Sequence, residues 1–373
     1  MTIATAAAIP VRPGATGGIE VTRAGALLRI TLDRPAALNA IDSAMRTRLA
    51  AAVRDVARDV NVYAVVLDSR SERAFSVGGD VRELITQLAA DPTTADAALA
   101  DEYALNWQLE CFSKPSVALV DGLVMGTGVG LSLYATHRVA GPGYAFAMPE
   151  TAIGFFPDDG VAHALGRLPG WFGIYLGLTG RRIGRADALR HGLVTHCIAA
   201  DHFDAIRTGL TAAEPVDPLL DGLHREPGPG ILAGHEEVIE HAFSAPSMPE
   251  IVARLEAERD GGGAHADWCR DVLAELQQRS PLALAVTLRH IRDARALDLR
   301  QTLMIDHRLA CRLIRRPDFA EGVRAALIDK DGRPHWSPDR IGDVTEAMVE
   351  ACFAPLPGAL ILPTRQEMQV ARV

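Results

Sequence analysis

The chain has 373 residues, with 38 Lys and Arg against 47 Asp and Glu for a formal net charge of −9; 48% of residues are hydrophobic and 23% charged. That is the composition of a globular protein with room for one large unit and a smaller one, and its acidic balance excludes nucleic acid or an anionic membrane surface as the main partner, since both need a basic face. No apolar run approaches the roughly 20 residues of a membrane span, and Cys111, Cys197, Cys269, Cys311 and Cys352, with no CxxC pair, read as reduced thiols of a cytoplasmic protein.

Residues 1–18 lack a charged segment ahead of their short apolar stretch and then meet Pro and Gly, which predicts a flexible tail and not a signal peptide. From Ile19 onward, short β-branched or apolar runs predict strands over Ala26–Leu32, Tyr63–Asp68, Ser116–Val120 and His137–Ala140. Between the first two lies a helical pattern, Ser43–Val60, with Met45, Leu49, Val53 and Val56 on one face. Strands separated by helices predict an α/β core over residues 19–213, which closes with helical character at Asp187–Gly192 and then Leu193–Ile198. The Pro- and Gly-rich stretch Glu214–Gly234 reads as a linker or surface excursion. Beyond it, a mainly helical region completes residues 214–373, with helices expected over Pro249–Arg259, Ala266–Arg279, Pro281–Arg292 and Leu299–Ile314. Ser280-Pro281 and Pro317-Asp318 mark boundaries, because proline disfavours helix in the residue before it. The region is expected to close on an irregular segment around Pro334–Pro338.

Two stretches share one design. The strand at Tyr63–Asp68 leads through a loop into Ala74-Phe75-Ser76-Val77-Gly78-Gly79-Asp80, and the strand at Ser116–Val120 leads into a glycine-rich run ending Gly126-Thr127-Gly128-Val129-Gly130. Each opens a helix. Glycines permit the tight turn and leave helix amino-terminal N–H groups unpaired, where negative charge is favoured. Two such groups converging on one oxygen would make an oxyanion hole, worth roughly 3–4 kcal/mol per donor in acyl chemistry. A third segment, Ala147 to Asp158, sets Glu150 and Asp158 eight residues apart among apolar, Gly and Pro neighbours. Partial desolvation there raises a carboxyl pKa and suits it to acid–base work. Pro157-Asp158-Asp159-Gly160 is also a turn sequence, in which an aspartate can act simply as a cap.

Other patterns fail on spacing. The run at Gly126–Gly130 has GxGxG and not the dinucleotide GxGxxG, because residue 131 is Leu. His235 and His241 stand six apart, on different helix faces, so they make no zinc-protease pair. No GxSxG elbow offers a serine nucleophile.

These motifs resemble the crotonase (enoyl-CoA hydratase/isomerase) superfamily, through Arg34-Pro35-Ala36-Ala37-Leu38-Asn39-Ala40, Ala74–Asp80, Lys114–Gly130, Met148-Pro149-Glu150 and Leu178-Thr179-Gly180. More narrowly, the chain resembles the 3-hydroxyisobutyryl-CoA hydrolase branch. That finer likeness lies in Gly78-Gly79-Asp80 with Glu102-Tyr103, in Met148–Gly154 with Phe156-Pro157-Asp158, and in the tail Asp318–Asp331. It runs from about Val21 to Phe353.

The resemblance implies a crotonase-type spiral of ββα turns followed by a helical carboxyl-terminal region, an acyl-CoA substrate, no metal or redox cofactor, and CoA arriving as part of the substrate. It leaves room for a homo-oligomer. Position by position, the backbone N–H groups of Gly79 and Thr127 would polarise the thioester carbonyl, and Glu150 and Asp158 would be the catalytic carboxylates. Glu102 would contact substrate together with Thr127, Glu150 and Asp158, and Arg34, Ala37, Leu38 and Ala40 would meet the CoA moiety. Hydratases of the superfamily supply a second water-binding carboxylate from the position that is Gly130 here. Its absence favours hydrolysis of a short β-hydroxyacyl-CoA, best matched by 3-hydroxyisobutyryl-CoA of valine breakdown, with Glu150 as nucleophile or as base. An enoyl-CoA hydratase/isomerase and a weakly active acyl-CoA-binding protein are the alternatives. The chain departs from the family pattern at Gly126-Thr127-Gly128, where three glycines are usual, and in the bulkier run Asp159–His163. The carboxyl-terminal helices are expected to cover part of the acyl pocket, since they follow the core and carry amphipathic faces.

Overall fold

The computed structural model describes residues 18–371. Of the tail expected over residues 1–18, all but Gly18 lies outside the described residues, and Gly18 opens the first strand. Strands β1 (Gly18–Ala24) and β2 (Leu27–Asp33) form an antiparallel hairpin. Helix α1 (Ser43–Arg58) then crosses over to β3 (Ala64–Ser69), which lies parallel to β2.

From there the chain winds in repeated turns. β3 is followed by the short β4 (Ala74–Ser76), β5 (Ser116–Val120) by β6 (Leu123–Met125), and β7 (His137–Ala140) by β8 (Ala145–Ala147). Two short strands close the series, β9 (Ile183–Gly184) and β10 (His196–Cys197). The long strands and β10 form a six-stranded sheet ordered β1-β2-β3-β5-β7-β10, and the short partners with β9 form a second sheet ordered β4-β6-β8-β9. Helices α2 (Val81–Ala90) and α3 (Pro92–Cys111) follow β4, and α4 (Thr127–Leu133) follows β6. This is the expected spiral of ββα turns, and it stacks the loops leaving β4, β6 and β8 at one edge of the second sheet.

The large sheet is buried on both faces, as parallel sheets are. Alternation along each strand sorts its side chains: Val65, Leu67, Ala118, Val120 and Ala140 join Met45, Leu49, Val53 and Val56 of α1 in the main core. Ala64, Val66, Val117, Leu119 and Val139 face the other way, onto the helices Phe203–Thr211 and Val216–Leu223. The second of these helices corrects the reading of Glu214–Gly234 as a linker. Val216 and Leu220 are buried against the sheet, so its first half is packed structure and only the residues from His224 onward are irregular. Proline content misled there, because Pro215 precedes the helix and Pro218 sits in its first turn, where a missing N–H costs nothing.

The expected strands and first helix are present with ends shifted by no more than two residues. Among the elements that carried too little pattern to be predicted are β1 and α3. β1 is a half-exposed edge strand with a charged residue on each face, Glu20 and Arg23, and α3 buries residues all around its circumference, Glu102, Asn106 and Gln108 among them, so it shows no apolar stripe. In the carboxyl-terminal region Ser280 caps the helix Pro281–Asp293 with proline in its first turn, and Asp298 with Gln301 forms a capping box on Leu299–Leu313. Two further helices, Glu346–Phe353 and Arg365–Val370, follow the irregular segment at Pro334–Pro338, which is therefore not the end of ordered chain. Together these helices bury a second core with α3, through Tyr103, Trp107, Phe155, Phe156, Leu303 and Phe319.

Candidate active site

The first two loops meet at their glycines. Gly78 has φ +103° and Gly126 φ +47°, left-handed conformations that side chains disfavour. The two loops also approach each other closely. A methyl group on Gly126 would lie 3.3 Å from both the Gly78 Cα and the Glu150 Oε1, and one on Gly78 would lie 3.5 Å from the Thr127 nitrogen. Ile41 holds the first loop from behind, donating to the Gly78 carbonyl at 2.8 Å and accepting from the Asp80 N–H at 2.9 Å. That parallel bridge turns the Gly79 N–H away from Ile41. Neither the Gly79 nor the Thr127 N–H donates to any acceptor among the described residues. Both residues line a cavity of about 280 Å³, together with Glu102, Glu150, Asp158 and Phe319.

The third loop supplies the carboxylates. Glu150 starts a single 3₁₀ turn (Glu150–Ile153) that Gly154 ends in the left-handed conformation, packed on the backbone of Asp318. The Glu150 side chain is 9% exposed, and its Oε2 has no hydrogen-bond partner among the described residues. Burial pushes its carboxyl up to about 8. Asp158 is buried as well and accepts a 2.7 Å hydrogen bond from the Tyr103 hydroxyl. Burial, and then the charge of Glu102, raise its pKa well above the usual carboxylate range. Glu102 reaches in from α3: its Oε1 accepts from the Thr127 hydroxyl, and its Oε2 pairs with Arg46 of α1 at 3.2 Å. Five residues singled out from the sequence, Gly79, Glu102, Thr127, Glu150 and Asp158, thus share one cavity.

Behind them lies a buried polar layer. Asp159, with φ +57°, accepts a 2.5 Å hydrogen bond from Asn106, while its Oδ2 has no partner among the described residues. It fills the space in front of Gly130: a methyl group there would lie 2.9 Å from the Asp159 Cβ and 3.0 Å from the Asn106 Oδ1. Asp306 accepts from the Gly160 N–H at 2.6 Å and contacts His290 Nε2 at 2.5 Å, which fixes the turn after Asp159.

Arg34, Ala37, Leu38 and Ala40 do not line the cavity. They form the partly exposed loop outside Gly78–Asp80, where Arg34 pairs with Asp80 at 2.8 Å and the Leu38 carbonyl accepts from Val77. Arg46, Asn106 and Phe319 were not foreseen. Each stands on a helix far along the chain from the loops, and a buried Arg on the apolar face of α1 was the one local sign of a role. Phe319, with Ala326 and Leu327 from the π-turn Arg324–Ile328, brings the carboxyl-terminal region into the cavity wall, whereas none of the four helices expected between Pro249 and Ile314 lines it. Among the described residues no cluster of three or more His, Cys, Asp or Glu is arranged to hold a metal ion, and no helix is long and apolar enough to cross a membrane.

A model of the family described as enoyl-CoA hydratase/isomerase matches residues 27–353. The chain is 36% identical over 335 residues to a probable 3-hydroxyisobutyryl-CoA hydrolase 3 of Arabidopsis thaliana, covering 87% of this chain and 88% of that protein. It is 35% identical over 350 residues to the mitochondrial 3-hydroxyisobutyryl-CoA hydrolase of Xenopus laevis, covering 91% and 89% respectively. Among solved structures, a carnitinyl-CoA dehydratase from Mycobacterium thermoresistibile superposes with a TM-score of 0.87 at 34% identity, over 93% of this chain and 99% of that one.

Proposed function

The chain belongs to the enoyl-CoA hydratase/isomerase family, and from that membership we propose that it hydrolyses 3-hydroxyisobutyryl-CoA to 3-hydroxyisobutyrate and CoA. The names of its curated relatives support the thioesterase branch. The observation that carries the reading within this chain is at Gly130. Hydration of a double bond in this superfamily uses a second carboxylate from that position; here there is no side chain, and the space is filled by Asp159, which does not line the cavity. Glu150 is left beside the two free amides, as thioester hydrolysis requires.

In this mechanism the thioester oxygen sits between the N–H groups of Gly79 and Thr127, which stabilise the negative charge that develops on it. The ionised Glu150 either attacks the carbonyl carbon, forming an anhydride and expelling the CoA thiolate before water cleaves the anhydride, or takes a proton from the water that attacks directly. A burst of thiol release distinguishes the first route. Asp158, whose protonated form burial favours and which accepts from Tyr103, is the companion acid. CoA itself would leave the cavity past the Arg34–Ala40 loop. The five buried, unpaired cysteines support a reducing compartment, and the cytoplasm is our reading for this chain, although the Xenopus relative is named as mitochondrial.

The test is a thiol-release assay with 3-hydroxyisobutyryl-CoA beside an absorbance assay with crotonyl-CoA. Stoichiometric thiol from the first ester is expected. Loss of the enoyl absorbance without thiol release from either ester would replace this reading with a hydratase.

A further inference from the structure

The threonine at residue 127 does more than supply an amide. The residue is 4% exposed and lines the cavity. Its hydroxyl meets the Oε1 of Glu102, whose Oε2 is paired with Arg46 at 3.2 Å, and Arg46 is itself anchored on Ser43 at 3.0 Å. A carboxylate in an ion pair can only accept. The threonine hydroxyl is therefore the donor in that contact, and its proton is committed. What remains is a buried oxygen with lone pairs and no donor to fill them among the described residues. The same oxygen lies 3.2 Å from where a methyl group on Gly79 would stand, so it sits at the junction of the two loops, next to the amide that would meet the thioester oxygen.

We propose that the Thr127 side chain is a specificity-determining element that selects acyl groups carrying a hydroxyl near the thioester, by accepting that hydroxyl's hydrogen bond on Oγ1. Resting on the acyl-CoA hydrolase reading above, this assigns the discrimination to a side chain where the family pattern has glycine. With glycine at residue 127, the Glu102 carboxylate would face the acyl group directly. Here the threonine takes one of its oxygens and offers its own in exchange. An acyl group with no hydroxyl leaves this buried acceptor unpaired after the cavity has lost its water, and unpaired polar groups are the strongest source of discrimination against an analogue lacking the matching group.

The experiment compares kcat/KM for 3-hydroxyisobutyryl-CoA and isobutyryl-CoA, which differ only in the hydroxyl, in the wild type, Thr127→Val and Thr127→Ser. The wild type is expected to prefer the hydroxylated ester at least tenfold, Thr127→Val to lose at least tenfold of that ratio, and Thr127→Ser to keep it. Should the valine variant not fold, Thr127→Cys, whose thiol is a far weaker acceptor and still covers Glu102, is read in its place. An undiminished ratio in the valine or cysteine variant, or no preference in the wild type, would overturn the inference while leaving the hydrolase reading intact. Absence of thiol release from either ester by the wild type would instead overturn the hydrolase reading itself.

Discussion

At the scale of single residues, the chemistry depends on a carboxyl group in the wrong solvent. Glu150 is pushed up to about 8 because burial removes the water that would stabilise its charge and no donor replaces it at Oε2. Both routes of hydrolysis use the ionised form, so kcat/KM for thiol release is predicted to rise with pH as this proton leaves. The rise should be tenfold per unit below about 8, with a plateau above it, and should follow the free enzyme. A profile flat between pH 6 and 9, or falling across that range, would contradict this assignment; spontaneous hydrolysis of the ester is subtracted at each pH. Glu150 and Asp158 were legible in the sequence because an acid set among Gly, Pro and aromatic residues stands out locally. Asp159 stood out only as extra bulk. Its task of filling the space before Gly130 depends on a contact between segments 29 residues apart, for which the sequence has no local mark.

Elements explain why the loops converge. β4 and β6 are neighbours in the second sheet, so the turns that leave them are stacked, and glycine at residues 78 and 126 lets them touch. The tightness continues along α4: Gly130 faces the Asp159 side chain and Asn106 with no room for a methyl group. Gly130→Ala is therefore predicted to destabilise the protein by about 1–3 kcal/mol, the usual cost of overpacking a filled core, as a lower denaturation midpoint with unchanged slope. A variant as stable as the wild type would show that Asp159 is free to move aside. At this scale β2, β3, β5, β7 and α1 were readable, because alternation and three-to-four spacing are strong where one face meets a core. α3 was not, although it carries Glu102, Tyr103 and Asn106 to the site. A helix enclosed on all sides loses the polar stripe that would reveal it.

For the whole molecule, the carboxyl-terminal helices are part of the site and not an appendage. The main core joins Ile30 and Val65 to Phe243, Leu273 and Leu288, and the second core joins Tyr103 and Phe156 to Leu303, Phe319 and Met368. With both cores spanning the chain, unfolding monitored by far-ultraviolet circular dichroism and by tryptophan fluorescence is predicted to give coincident transitions. Separate midpoints would mean that the two regions are stable apart. That the carboxyl-terminal region reaches the cavity was foreseen, but from amphipathic helices before Ile314, none of which lines it; Phe319, Ala326 and Leu327 lie on a short helix and a π-turn whose placement is set by packing. All of this structure serves one proposal, that Glu150 acts on a thioester carbonyl held by two backbone amides. Its most direct test is the rate of CoA thiol release from 3-hydroxyisobutyryl-CoA by the full-length Glu150→Gln variant, which keeps the shape of the side chain and removes its charge. A loss of kcat on the order of 10²–10⁴-fold with little change in KM is predicted; release at a rate near that of the wild type would contradict the account.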